Sequence, residues 1–223
     1  MCRSIFRAHL LNSAATLANA YHDLEILPVC ADYTQDFSVP IPERPVARTV
    51  AYFPGSTIGN LHPGAAIDLL RHMARVVGPN GGLLIGVDLQ KDRETLERAY
   101  NDGAGVTAVF NLNMLARINR ELGANFSLAQ FRHHAVYNAL HDRIEMHLIS
   151  QRSQAVLIDD VLIPFERDES ILTECSYKYT LVVREIGWAA GFSVEHIWTD
   201  PDQLFSVQYL SLIRVRQWCF TAG

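Results

Sequence analysis

Two short apolar runs separated by a segment of helical period constrain this chain more than any other feature. Arg48 to Phe53 reads as a buried strand, and Leu83 to Val87 reads as a second one ending at Asp88. Between them Ala66, Leu69, Leu70, Met73, Ala74 and Val77 form one apolar stripe, stopped by Gly78-Pro79-Asn80-Gly81-Gly82. Strand, loop, amphipathic helix, Gly-rich turn and strand make a βαβ unit, whose crossover sets the two strands parallel. The expected class is therefore α/β, with any ligand lying beyond the carboxyl ends of the strands.

The flanking segments extend this frame. Ser4 to Tyr21 carries Leu10, Ala14, Leu17 and Ala18 at helical spacing. Leu24 to Ala31 reads as an apolar strand ending at Asp32, followed by a connection containing Pro40, Pro42 and Pro45. Helices are predicted near Arg93–Asn101 and Ala108–Leu122. The alternating runs of Arg132–Ile158 predict an antiparallel insertion over one edge of the main domain. Ser176 to Ala190 reads as a helix, and Ser193–Thr199 with Phe205–Ile213 as a terminal strand pair. The expected division is a core of residues 1–105 and 176–213, a substrate-binding insertion of 106–175, and a tail of 214–223.

Composition narrows the function classes. A net charge of −5 over 223 residues gives no electrostatic footprint for nucleic acid or an anionic membrane. No run approaches the roughly 18 apolar residues that span a bilayer, and the N-terminus carries no apolar signal core. Cys2, Cys30, Cys175 and Cys219 form no paired spacing, so reduced thiols and a cytoplasmic location are expected. Small-molecule chemistry is the default.

Three strand ends are candidate ligand sites: Asp32-Tyr33, Pro54 to Asn60, and Asp88. Taken singly, each aspartate reads rather as a turn or cap residue than as a ligand acceptor. The loop Gly55-Ser56-Thr57-Ile58-Gly59-Asn60 combines glycines that admit close backbone approach with short polar groups. It lacks the Lys-Ser/Thr of a phosphate-binding loop and the G-x-S-x-G of a nucleophile elbow. A binding loop and a structural turn both fit it. His133 and His134 are adjacent in a strand-like run and so face opposite ways, and no other histidine has ligand spacing, which argues against a metal. Glu174-Cys175-Ser176 fits a helix cap by Ser176, or an acceptor and a hydroxyl at the mouth of the sheet.

In order along the chain, Phe53–Asn60, Gly86–Asp92, Leu96–Asp102, Gly105–Asn111, Asn119–Leu122, Glu145–Leu148 and Glu174–Tyr179 resemble the histidine Nα-methyltransferases of ergothioneine biosynthesis. That resemblance implies a class I, Rossmann-like S-adenosylmethionine methyltransferase with strand order 3-2-1-4-5-7-6, making trimethylhistidine (hercynine) from L-histidine. It implies that Asn60 and the Gly55 backbone hold the substrate amine, and that Tyr100 binds its carboxylate. Thr107, Met146, Glu174 and Ser176 would surround the imidazole, with Glu174 and Ser176 as hydrogen-bond partners. Asp32 and Tyr33 would lie beside the cofactor adenine, with Ser56 bordering that pocket.

The same resemblance implies that this chain lacks the family's first two sheet strands, with their Gly-rich cofactor loop and two substrate-facing tyrosines. On that basis the chain alone is expected to bind S-adenosylmethionine weakly or not at all, and its exposed sheet edge to invite self-association. The competing readings are a relative that methylates another amino acid, such as an indole amine, and an inactive fragment or interaction module of the same fold.

Overall fold

The structure, a computed structural model, describes residues 4–35, 38–180 and 183–213. The βαβ unit is present as β1 (Val50–Phe53), α2 (Pro63–Val77) and β2 (Gly82–Asp88), preceded by α1 (Ser4–Ala20). Pro63 occupies the first turn of α2, where its missing N–H is no loss, and Gly78 ends the helix at φ 69°. Strand β2 is apolar and buried along most of its length, as a strand covered on both faces must be.

A terminal hairpin, β8 (Phe192–Thr199) and β9 (Phe205–Leu212), completes the sheet, and the Asp200 carboxylate caps its turn through the Leu204 and Phe205 amides. The order is β1-β2-β9-β8, with β1 and β2 parallel and β9 antiparallel to both neighbours. This is the 4-5-7-6 portion of the expected class I order. The short α5 (Arg184–Ala189) packs beside α2, and both close one core with Leu70, Leu83, Ile85, Val87, Phe192 and Leu210. Each such side chain contributes about 1.5–3 kcal/mol by leaving water.

The predicted strand at residues 24–31 does not form. A strand exists through its ladder, and among the described residues nothing pairs with this segment or with the outer edge of β1. Leu24, Leu27 and Val29 are accordingly exposed. Among the described side chains of α1, residues 7–20, none enters the three buried clusters.

Between β2 and the hairpin come α3 (Arg93–Tyr100), α4 (Val106–Leu122) and five antiparallel strands: β3 (Phe131–Asn138), β4 (Arg143–Ser150), β5 (Gln154–Ile158), β6 (Val161–Phe165) and β7 (Ser170–Tyr177). They form a β3-β4-β7 sheet and a β5-β6 hairpin. Phe126, Phe131 and Phe165 meet edge to face around Leu115 and Leu148, while α3 sets Leu96 against Ala135, Ile144 and Met146.

The helix predicted from Ser176 is a second correction. Ser170 to Tyr177 is strand β7, paired with β4, and helix follows only at Arg184–Ala189. Pairing across the sheet outweighs the local capping pattern, as tertiary context commonly does. The expected boundary at 175/176 thus falls inside β7, and the tail 214–223 lies outside the described residues.

Candidate active site

Three chain segments converge at the carboxyl ends of β1 and β2: the loop after β1, the end of β2, and the end of β7. Just past β7, the Tyr179 amide donates to the Asp88 carbonyl (3.0 Å), and the Gln90 amide donates to the Tyr179 carbonyl (2.8 Å). The second sheet is thereby stitched to the mouth of the first.

The loop is held in an unusual conformation. Gly55 and Ser56 are both left-handed, at φ 70° and 54°. For a serine this costs on the order of 1–2 kcal/mol. The Ser56 amide donates to the Gly86 carbonyl (3.1 Å), and its hydroxyl accepts from the Asp88 amide (2.9 Å). These two bonds offset the strain and fix the loop on β2. The following 3-10 turn, Thr57–Asn60, fits beneath β7 because position 59 is glycine: a Cβ there would lie 2.8 Å from the Tyr177 carbonyl oxygen. Asn60 then emerges beside β7, where it lines a cleft of about 290 Å³ with His62, Thr173, Glu174 and Cys175.

Tyr100 ends α3, and its backbone is clamped to β3. The Tyr100 carbonyl accepts from His133 Nε2 (2.8 Å), whose Nδ1 accepts from the buried Asn111 amide (2.9 Å). Asn101 exchanges two hydrogen bonds with the Ala135 backbone. His133 thus holds the end of α3 on β3, and register sets His134 on the other face beside His147. Among the described residues no group of three or more His, Cys, Asp or Glu is arranged to hold a metal.

The centre of the site is a polar chain that the sequence reading did not assemble. The Tyr100 hydroxyl lies 2.9 Å from Ser176 Oγ, and the Lys178 ammonium donates to both hydroxyls at 2.8 Å. Lys178 also lies 2.8 Å from Asp88 Oδ2, and Lys91 lies 2.6 Å from Asp88 Oδ1. The Lys178 side chain is wholly buried, with its charge 4.7 Å from the Tyr100 ring centroid. Burial alone would raise the Asp88 carboxyl, but hydrogen bonds and charge from Lys178 and Lys91 hold it below its ordinary value. Asp88 was legible as a strand-end acid. Lys178 carried no signal, because a lysine among tyrosines ordinarily reads as solvated.

Glu174 and Ser176 sit two residues apart on β7 and so face the same side of the sheet, opposite Met146 and Ile144 of β4. Neither caps a helix. Burial pushes the Glu174 carboxyl up, partly countered by the Lys178 charge, and no described residue donates a hydrogen bond to it. Glu174 also borders a second cleft of about 240 Å³ against Phe110, Asn111 and Met114 of α4. Thr107 lies one turn earlier on that helix, its amide donating to Asp102 (2.8 Å), and Met146 is buried behind.

Asn60 and Glu174 therefore line one cleft, a hydrogen bond joins Tyr100 to Ser176, Met146 pairs with Glu174 across the sheet, and Gly55 opens the loop that carries Asn60, while Thr107 stands at the start of α4. Asp32 and Tyr33 lie apart from that cluster. Asp32 is exposed and turns its carboxylate to the Thr34 amide and hydroxyl, which hold it below the usual carboxylate range. Tyr33 meets Phe53 edge to face at 5.9 Å, at the carboxyl end of β1. The arrangement offers a carboxylate acceptor, clustered hydroxyl donors and a carboxamide, which suits holding a small polar molecule in one orientation.

Comparison with known proteins adds a family to this geometry. The family model described as histidine-specific methyltransferase, SAM-dependent, matches residues 4–212. The chain is 41% identical over 196 residues to the histidine N-alpha-methyltransferase of Mycolicibacterium smegmatis, covering 86% of this chain and 60% of that protein. It is 41% identical over 198 residues to that of Mycobacterium tuberculosis, with the same shares. It is 30% identical over 131 residues to the L-tryptophan methyltransferase of Psilocybe serbica, covering 57% of this chain and 37% of that one. The chain spans about 60% of the length of the first two relatives.

Proposed function

The chain belongs to the histidine-specific, SAM-dependent methyltransferase family, and from that premise we propose that it supplies the amino-acid side of a site that methylates the α-amine of L-histidine. The product is trimethylhistidine, towards ergothioneine. The observation that carries this reading is the pairing of an acceptor, Glu174, with the hydroxyls of Ser176 and Tyr100 on one side of β7. A neutral imidazole needs that combination, since it offers one N–H and one bare nitrogen.

Asn60 and the Gly55 backbone would hold the amine, and Tyr100 the carboxylate. Thr107 and Met146 would wall the imidazole, which Glu174 and Ser176 would grip. The residues fit S-adenosylmethionine on one side: Tyr33 offers an aromatic face at the end of β1, Asp32 an exposed acceptor, and Ser56 a border between the two pockets. That cofactor supplies an electrophilic methyl on a sulfonium. What this chain contributes is orientation of a neutral amine lone pair, an effect worth up to about 7–11 kcal/mol in favourable cases. A polar partner left unpaired in such a site is costly, so Glu174 disfavours side chains without an N–H.

Three further expectations belong to the same proposal. The division is into a methyltransferase core of 1–105 with 176–213 and a substrate-binding insertion of 106–175, the core adding Gly55, Asn60, Tyr100 and Ser176 to the substrate's surroundings. Among the described residues the outer edge of β1 is unpaired, with Val50 and Tyr52 exposed, and it can accept a strand from a second copy. No described helix is long and apolar enough to cross a membrane, and a cytoplasmic site of action suits a small-molecule enzyme.

The test is incubation of the full-length protein with S-adenosylmethionine and either L-histidine or L-tryptophan, read by mass spectrometry. Successive addition of methyl groups to histidine is expected. Turnover of tryptophan with none on histidine would overturn the substrate assignment.

A further inference from the structure

Lys178 touches neither cleft-lining carboxylate nor amide, yet it is a fully buried cation at the centre of the site. Its three N–H bonds go to Asp88 Oδ2, Tyr100 Oη and Ser176 Oγ, all at 2.8 Å. An ammonium has three protons, so its donor capacity is filled. The two hydroxyls share one further bond, 2.9 Å long, in which either can donate to the other. Counting protons, Tyr100 and Ser176 bring one each, and their mutual bond uses one. One hydroxyl proton is left over, and no described residue accepts it.

We infer that Lys178, anchored by Asp88, is a positioning residue that makes the Tyr100–Ser176 pair a net donor to the bound amino acid, and so selects a side-chain ring carrying a bare acceptor nitrogen. This rests on the histidine reading above and deepens it. The cation fills one acceptor site on each hydroxyl, the mutual bond fills a third, and the positive charge of the adjacent ammonium disfavours a ligand N–H at the fourth. Ser176 and Tyr100 then meet a ligand N–H poorly and a ligand lone pair well. Glu174, two residues along β7, has the opposite preference as a carboxylate acceptor. The pair distinguishes the two nitrogens of a neutral imidazole and disfavours a ring that offers N–H alone. Asp88 acts through Lys178 by holding its nitrogen at the hydroxyls, and Lys91 shares the Asp88 charge from the other oxygen.

The test uses the full-length protein and compares L-histidine with the β-pyrrolylalanines, which keep a ring N–H but lack the bare nitrogen. Dissociation constants by calorimetry and KM and kcat for each are measured for wild type, K178M and D88N. Wild type is expected to prefer histidine, and K178M to lose about tenfold of that preference, chiefly through weaker histidine binding and higher KM. D88N should lose a smaller share. A merely structural role would weaken both ligands alike and leave the ratio unchanged. An unchanged ratio in folded K178M, or in D88N should K178M not fold, overturns the role of Lys178. Histidine bound and selected by the wild type but never methylated overturns the proposed reaction alone.

Discussion

Lys178 Nζ lies 2.8 Å from Asp88 Oδ2, tying the end of β7 to the end of β2 across the mouth of the parallel pair. Both groups are largely buried, with side-chain exposures of 0% and 22%. Removing one member leaves the other charge poorly compensated. Asp88→Asn should therefore destabilise the protein by about 1–3 kcal/mol at neutral pH, measured by urea unfolding. The Asp88 carboxyl is held below its ordinary value in the fold, so its contribution is full above the unfolded value of about 3.9 and fades as pH falls through the folded one. The gap between wild type and variant should shrink in that acid range. A gap independent of pH would exclude the ion pair as its source.

Two glycines of the loop after β1 should fail differently when replaced. At Gly59 the obstacle is contact: a Cβ would meet the Tyr177 carbonyl oxygen at 2.8 Å, and backbone cannot swing aside. Gly59→Ala should cost roughly 1–3 kcal/mol and, by lifting Asn60 from β7, weaken histidine binding by full-length protein. At Gly55 there is open space around the Cβ position, and only the left-handed backbone objects. Gly55→Ala should cost about 1–2 kcal/mol. Equal effects of the two on histidine affinity would count against a steric role for Gly59.

The legible part of this fold is the part whose signals are local. The stripe from Ala66 to Val77 repeats at 3.6 residues, and the run from Leu83 to Val87 sits between a Gly-rich turn and an aspartate, so the βαβ unit could be read directly. The terminal hairpin was legible for a similar reason, its strands being adjacent in sequence and joined by Asp200. Residues 24–31 and 176–180 were misread because an apolar run or a serine beside an acid is only half of a strand or cap, the other half being a partner elsewhere. The site shows the same limit. Its loop stood out by composition, whereas the Tyr100–Ser176–Lys178 cluster joins positions more than 70 residues apart, and a buried lysine has no local signature.

The first turn of α4, which carries Thr107, depends on Asp102. Its carboxylate accepts from the Val106 and Thr107 amides at 2.9 and 2.8 Å, capping the first turn of α4. Backbone donors at Thr107 and Val106 pull the Asp102 carboxyl down to about 2. Because the folded value is depressed, the cap is intact above the ordinary value of 3.8 and is lost as pH falls from there towards about 2. A titration of the Thr107 amide resonance should show a midpoint near that value, and Asp102→Asn should remove it. A midpoint near 3.8 would mean that the cap contributes nothing.

Glu174 illustrates how a binding site trades stability for recognition. Burial raises its carboxyl, with only partial relief from the Lys178 charge, so in the free protein the carboxylate is held at a cost. A raised acid favours the fold most when protonated, below its unfolded value, and that advantage is gone once pH has risen through the folded one. At neutral pH, Glu174→Gln should therefore raise the melting temperature. Histidine binding should move the other way, because the carboxylate accepts the imidazole N–H and a charge-assisted bond of that kind is worth about 1.5–3 kcal/mol, or roughly 10–100-fold in affinity. In the full-length wild type, affinity should fall in two steps with acid, one as the free imidazole protonates, at about 6.5, and one as Glu174 does. Glu174→Gln should keep the first step and lose the second. A variant that binds histidine as tightly as wild type across that range would remove Glu174 from the imidazole pocket.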